Sequence, residues 1–256
     1  MMKSEQRPAA DTNLSVVAPV YRNADTLVSL YDRLCPVLEN LGVSFEIIFV
    51  NDASPDHSLA VLKPLQMKDV RVAVLNLIHN VGQHQAVLQG LAKSKGEWIV
   101  VMDADLQDPP EAIPALLTKA QEGYSAVFAG RRGKYESPSR LLTSRLFKGI
   151  LHLLTGVPAD AGMFLAMNRN MADRILKMED RHPFVVAMIA CARLPVTSIP
   201  VTRVQRPLGN SAYNFRSRLR RARRALIWLL RWRLRNFRAS GHPFRPPRIG
   251  LSPPSG

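Results

Sequence analysis

The run Trp98-Ile99-Val100-Val101-Met102 constrains the fold most, because five consecutive apolar residues suit a strand covered on both faces. Such a strand belongs in the middle of a sheet with helices on either side. It leads directly into Asp103-Ala104-Asp105-Leu106-Gln107-Asp108-Pro109-Pro110-Glu111. In open α/β sheets, ligands bind outside the carboxyl ends of the strands, where Asp103 and Asp105 fall. Side chains two apart on an extended segment point the same way, so Asp103, Asp105 and Gln107 can serve one divalent cation or one nucleotide. Asp108 is expected to do something else. With Pro109, Pro110 and Glu111 it forms a capping-box pattern at a helix start.

The flanking sequence alternates in type. Strands are expected over residues 14–20, 45–50, 70–77, 98–102 and 125–129, and helices over 26–41, 58–67, 83–93 and 110–121. Leu27, Leu30, Leu34, Val37, Leu38 and Leu41 mark the first helix by their spacing, and Gly42 ends it. The alternation implies an α/β protein with a mostly parallel, doubly wound, Rossmann-like sheet. Strand two also delivers an aspartate, Asp52. No P-loop is present and no Gly-x-Gly-x-x-Gly follows strand one, so a diphosphate must be held another way, which fits a metal on Asp105.

Past Gly130 the pattern loosens. Residues 131–140 read as a mobile basic loop, 141–154 as a helix, 163–167 as a short strand, 168–178 and 183–192 as helices, and 196–204 as a strand at a sheet edge. His84 stands at a helix start, where capping competes with a ligand role. Residues 1–13 lack the apolar run of a signal peptide and read as a loose tail. No stretch approaches the ~20 apolar residues of a membrane span. Cys35 and Cys191 are far apart and lack metal-ligand spacing, so neither a disulfide framework nor a zinc site is indicated, and a reducing cytosol is the natural compartment.

The net charge of +15 is unevenly placed. Residues 1–202 carry 21 Lys and Arg against 20 Asp and Glu, whereas residues 203–256 carry 14 arginines and no acid. The basicity therefore belongs to a C-terminal module. Phe215, Leu219, Ala222, Leu226, Leu229, Leu230, Leu234 and Phe237 recur at helical spacing among ten arginines, with Trp228 and Trp232 between them. Residues 214–238 are expected to form a basic amphipathic helix on an anionic membrane surface, and Pro-, Ser- and Gly-rich residues 239–256 a disordered tail.

Five motifs occur in order: Val17-Ala18-Pro19-Val20-Tyr21-Arg22-Asn23, Val50-Asn51-Asp52-Ala53-Ser54, Asn80-Val81-Gly82-Gln83-His84, Met102 to Glu111, and Gln205-Arg206-Pro207-Leu208-Gly209-Asn210-Ser211-Ala212-Tyr213. Together they resemble the family-2 glycosyltransferases of the polyprenyl-phosphate type, over roughly residues 14–215. Gly82-Gln83-His84 with Ala86 looks closest to the undecaprenyl-phosphate aminoarabinose-type transferases. The resemblance implies a GT-A fold in residues 14–213, a UDP- or GDP-linked sugar donor, Mg²⁺ or Mn²⁺, and transfer to a polyprenyl phosphate with inversion. Pro19, Tyr21, Asp52 and Asp103 would line the donor pocket, and Asp103, Asp105 and Gln107 would hold the metal.

An anionic acceptor phosphate needs no general base but does need cations. Arg131, Arg145, Arg203 and Arg206 are the candidates, since a guanidinium matches phosphate oxygens in a bidentate way. Asp103, Asp105 and Arg206 would then carry the catalysis. Gly162 and Met163 depart from the polar pattern many relatives have after the equivalent of Asp160, which leaves the sugar open. The expected location is peripheral, at the cytoplasmic face of the membrane, with homo-oligomerisation undecided. Nucleic-acid binding through the basic arm is the rival reading, and it leaves Asp52, Asp103 and Asp105 without a role. An inactive GT-A scaffold is the third.

Overall fold

The computed structural model describes residues 13–132, 156–178 and 183–203. The first half alternates as expected: β1 (Leu14–Val20), α1 (Leu27–Glu39), β2 (Phe45–Asn51), α2 (Ser58–Lys68), β3 (Val72–Asn76), α3 (Gln83–Lys93), β4 (Trp98–Val101), a 3-10 turn at Pro110–Ala112, α4 (Ile113–Gln121) and β5 (Ala126–Arg132). Then come β6 (Leu165–Asn168), α5 (Arg169–Leu176), α6 (Val185–Cys191) and β7 (Val196–Thr202). Asn168 caps α5, its side chain accepting the N–H of Met171 at 2.9 Å.

The seven strands lie in the order β3-β2-β1-β4-β6-β5-β7. Every residue of β1 is buried, because the sheet is covered on both faces. Val16, Ala18, Phe49 and Val100 pack with α1, α2 and α4 through Leu30, Leu34, Leu62, Ile113 and Leu116. Their neighbours in sequence, Val17, Ile48, Val50 and Val101, pack on the other face with α3, α5 and α6 through Val87, Leu91, Met171, Ile175 and Met188. Period-two side chains feeding two helical layers make the sheet doubly wound.

The sheet is mostly parallel, as expected, and β6 is the exception. β6 lies antiparallel between β4 and β5, with Val100 opposite Ala166 and Val127 opposite Ala166 on its other side. A four-residue apolar strand carries no local mark of its direction; its partners, 39 and 66 positions away from Ala166 at Val127 and Val100, decide it. Arg131 and Arg132 are not in a loop, contrary to the sequence expectation. They extend β5 because β7 provides a parallel partner, pairing Arg131 with Val201 and Arg132 with Thr202. β7 forms the sheet edge as expected. Among the described residues no helix is long and apolar enough to cross a membrane. The expected helices at 141–154 and 214–238 lie outside the described residues, as do both tails.

Candidate active site

Strand order reverses next to β1: β2 and β3 lie to one side, and β4, the next strand in sequence, lies on the other. Crevices at such switch points, at the carboxyl ends of the strands, are where open α/β sheets bind ligands. Here the crevice is walled by the residues after β1, β2 and β4. Three of the four described non-glycine residues with positive φ occur in these loops, Arg22 at 58°, Ala53 at 46° and Leu106 at 62°. Strained backbone of this kind persists where surrounding contacts over-determine it, often at functional sites.

Those contacts are present. Asp56 accepts hydrogen bonds from the hydroxyls of Ser54 and Ser58, both at 2.6 Å, and from the N–H groups of Ala24 and Ser58, both at 3.1 Å. Burial works against its ionisation, but these donors outweigh it and hold the carboxyl at about 2. The loop after β1 is thereby tied to the loop after β2. Thr26 donates to the carbonyl of Ala104 at 2.6 Å and so joins the start of α1 to the loop after β4.

Burial alternates after β4. Ala104, Leu106 and Asp108 are buried, whereas Asp103, Asp105 and Gln107 are partly exposed. The segment is a turn beyond the end of β4, with Leu106 at φ 62°, and not the extended run expected, yet the three residues share part exposure. Asp103 Oδ1 accepts from Gln83 Nε2 at 2.5 Å, and Asp105 Oδ1 accepts the N–H of Gln107 at 3.1 Å. Pro19 is buried in β1, and Tyr21 just beyond it is 43% exposed with the Arg22 guanidinium 5.6 Å from its ring centre. Asp52 is buried and accepts the N–H groups of Val81 at 2.7 Å and Gly82 at 2.9 Å. It therefore shapes the loop leading into α3. Gly82 has φ 87°, a conformation that suits glycine.

Asp108 is not a helix cap. Pro109 precedes the 3-10 turn and no side chain caps it. The Asp108 carboxylate, 1% exposed, instead binds Arg203, which arrives from the end of β7. Arg203 Nε and Nη2 reach Asp108 Oδ1 at 2.7 and 2.6 Å, while Nη2 also reaches Asp103 Oδ2 and Nη1 reaches Gln107 Oε1, each at 3.3 Å. Burial opposes the charge of Arg203, but Asp108 and Asp103 more than offset it, so its pKa rises above the ordinary arginine value. His84 does not cap either; it packs edge-on against Phe184, with ring centres 4.9 Å apart. Arg145 and Arg206 lie outside the described residues.

Gln83 and Asp108 were missed as site residues. Both stand inside the recognised motifs, but their partners, Asp103 and Arg203, become visible only once the strands are ordered.

Residues 15–176 match the family model described as Glycosyl transferase family 2. The chain belongs to that family. It is 32% identical over 209 residues to the uncharacterized glycosyltransferase YkcC of Bacillus subtilis (strain 168), covering 80% of this chain and 65% of that protein. It is 34% identical over 205 residues to the undecaprenyl-phosphate 4-deoxy-4-formamido-L-arabinose transferase of Salmonella newport (strain SL254), covering 79% and 63%. The chain thus spans a little under two thirds of the length of these relatives. Among solved structures, the mannosyltransferase PcManGT from Pyrobaculum calidifontis, in complex with GDP-Man and Mn²⁺, matches with a TM-score of 0.60 at 18% identity, over 91% of this chain and 68% of that one. A likeness at that identity speaks for the fold, which is GT-A.

The family's fold implies a divalent cation, and the residues fit one. Asp103, Asp105 and Gln107 offer two carboxylates and a neutral oxygen, a hard all-oxygen set suited to Mg²⁺ or Mn²⁺. Among the described residues no three His, Cys, Asp or Glu side chains cluster closely enough to hold a metal. Few protein ligands are the norm when substrate phosphates complete the coordination.

Proposed function

We propose that the chain transfers a sugar, with inversion, from a UDP- or GDP-linked donor to a polyprenyl phosphate at the cytoplasmic face of a membrane. The observation that carries this is the set of Asp103, Asp105 and Gln107, part-exposed and gathered about Arg203 beyond β4 at the point where strand order reverses. Similarity to a transferase acting on undecaprenyl phosphate supports the acceptor class.

Tyr21 stands exposed at the rim, where an aromatic face can stack on the nucleobase, with Pro19 behind it. Asp52 orders the Val81-Gly82 turn that borders the donor. Asp103, Asp105 and Gln107 would hold Mg²⁺ or Mn²⁺ and the diphosphate; when bound, the cation supplies Lewis-acid stabilisation of the charge that develops on the departing nucleoside diphosphate. The acceptor is already an anion, so no side chain has to remove a proton. Its phosphate would meet Arg131, Arg145 and Arg206. Arg203 in this state is engaged with carboxylates. The basic residues 214–238 would keep the near-neutral catalytic part on anionic lipid.

Radiolabelled UDP- and GDP-sugars offered with undecaprenyl phosphate or with soluble acceptors test the proposal. Label is expected in the lipid phase, dependent on Mg²⁺ or Mn²⁺. Label found only in soluble glycans would overturn the acceptor assignment.

A further inference from the structure

Arg203 holds its partners unevenly. Its contacts to Asp108 Oδ1, at 2.6 and 2.7 Å, are at the short end for charge-assisted hydrogen bonds. Its contacts to Asp103 Oδ2 and Gln107 Oε1, both 3.3 Å, exceed the usual length. The guanidinium is thus anchored on Asp108 and leans on two of the three side chains assigned to the cation.

We propose that Arg203 is a positioning residue that stands in for the divalent cation until the cation arrives. Asp108 is the anchor that keeps it from closing on Asp103. The proposal rests on the cation assignment made above. An arginine cannot be neutralised in a protein, so it cannot leave Asp103 by losing a proton. It yields only if a stronger partner holds it, and buried Asp108 is that partner. Asp108 also accepts the N–H of Asp103 in an equally long contact of 3.3 Å, so the same carboxylate touches the backbone from which Asp103 projects.

In Asp108→Asn the site loses one negative charge, and Arg203 exchanges its charged anchor for a neutral amide. The arginine then settles on Asp103 and competes with the cation. Groups that orient metal ligands from behind are worth about 10–100-fold in metal affinity. Asp108→Asn is therefore expected to weaken Mn²⁺ binding about tenfold, at the low end of that range. Arg203→Met added to Asp108→Asn removes the competitor, so Mn²⁺ affinity recovers. A buried ion pair replaced on both sides is often tolerated by the fold. Arg203→Lys keeps a charged partner for Asp108, but one ammonium cannot also reach Asp103 and Gln107, and Mn²⁺ is expected to bind about threefold more tightly.

The test is the electron paramagnetic resonance signal of free Mn²⁺, titrated into the full chain and each variant with UDP or GDP present. Weak binding by Asp108→Asn, with recovery in the double variant and tighter binding by Arg203→Lys, supports the proposal. Unchanged binding in Asp108→Asn, or a double variant as weak as the single one, overturns it. A wild-type chain that takes up no Mn²⁺ with either nucleotide overturns the cation assignment itself, and the proposal with it.

Discussion

The carboxylate of Asp160 fills the space that any side chain at Gly130 would need: a Cβ there would lie 2.6 Å from its Cγ and closer still to Oδ2. Gly130 is in β5, whose carboxyl end faces the same edge of the sheet as that of β4. Gly130→Ala forces the end of the part-exposed Asp160 side chain aside and is expected to destabilise the fold by about 1 kcal/mol, the low end for overpacking. Adding Asp160→Ala empties the space and should restore most of the loss. Urea unfolding of the single and double variants measures both, and an alanine at 130 tolerated without loss would contradict the overlap.

Asp52 provides the second prediction. Its two oxygens each accept a backbone N–H, from Val81 and Gly82, and an amide at this position offers one acceptor oxygen. Asp52→Asn is expected to lose about 1–3 kcal/mol, since a buried N–H is left without its partner. That corresponds to a melting temperature lower by roughly 2–4 °C per kcal/mol in a chain of this size. Nucleotide affinity should fall with it. Differential scanning fluorimetry with and without UDP or GDP reads both effects.

Acid stability follows from two carboxylates. Asp69, hydrogen-bonded first of all by the Arg71 side chain, against burial, and further by the Arg71 N–H and the Tyr31 hydroxyl, is held at about 2. Asp56 is held at about 2 by the four donors described above, which outweigh its burial. A carboxyl lowered in the folded state contributes fully above its unfolded pKa, about 4. That contribution fades as pH falls towards 2. Asp69→Asn and Asp56→Asn should therefore be less stable than wild type at pH 7, with the gap closing between about pH 4 and pH 2. Unfolding curves across that window decide it; a gap that stays constant would contradict the assignment.

The strands and helices up to Ala129 were legible because each announces itself locally, by an apolar run or by helical spacing such as Leu27, Leu30 and Leu34. The part exposure of Asp103, Asp105 and Gln107 beside buried Ala104 and Leu106 follows the alternation expected from the sequence, although the segment is a turn with Leu106 at φ 62° and not a continuation of β4. The antiparallel direction of β6 was not legible, because four residues such as Leu165-Ala166-Met167-Asn168 read alike in either direction. Asp108 was misread for a related reason. Its local sequence fits a capping box, but an arginine 95 positions later supplies a stronger partner than an orphan backbone N–H. Long-range ion pairs leave no spacing pattern to read.

Membrane attachment gives the fourth prediction. Residues 203–256 hold 14 of the 35 basic residues and no acidic one. Binding to anionic vesicles should weaken in salt, which screens the arginines, without vanishing, because burial of Trp228, Leu229, Trp232 and Phe237 is not screened. A chain lacking residues 216–256 should no longer co-sediment with vesicles and should still bind nucleotide sugar. Undiminished co-sedimentation of that shortened chain would remove residues 216–256 as the anchor and make nucleic acid the next partner to test for them.

The central claim is that the carboxylates beyond β4 hold the cation and the donor diphosphate. Asp105→Asn tests it most directly, because the substitution keeps the size of the side chain and its ability to accept the N–H of Gln107. Isothermal titration of the purified variant with UDP- or GDP-sugar, with and without Mn²⁺, is the measurement. The expected result is an unchanged melting temperature, loss of the Mn²⁺-dependent part of donor affinity and loss of transfer. Donor affinity that responds to Mn²⁺ as strongly as in the wild type would contradict the claim.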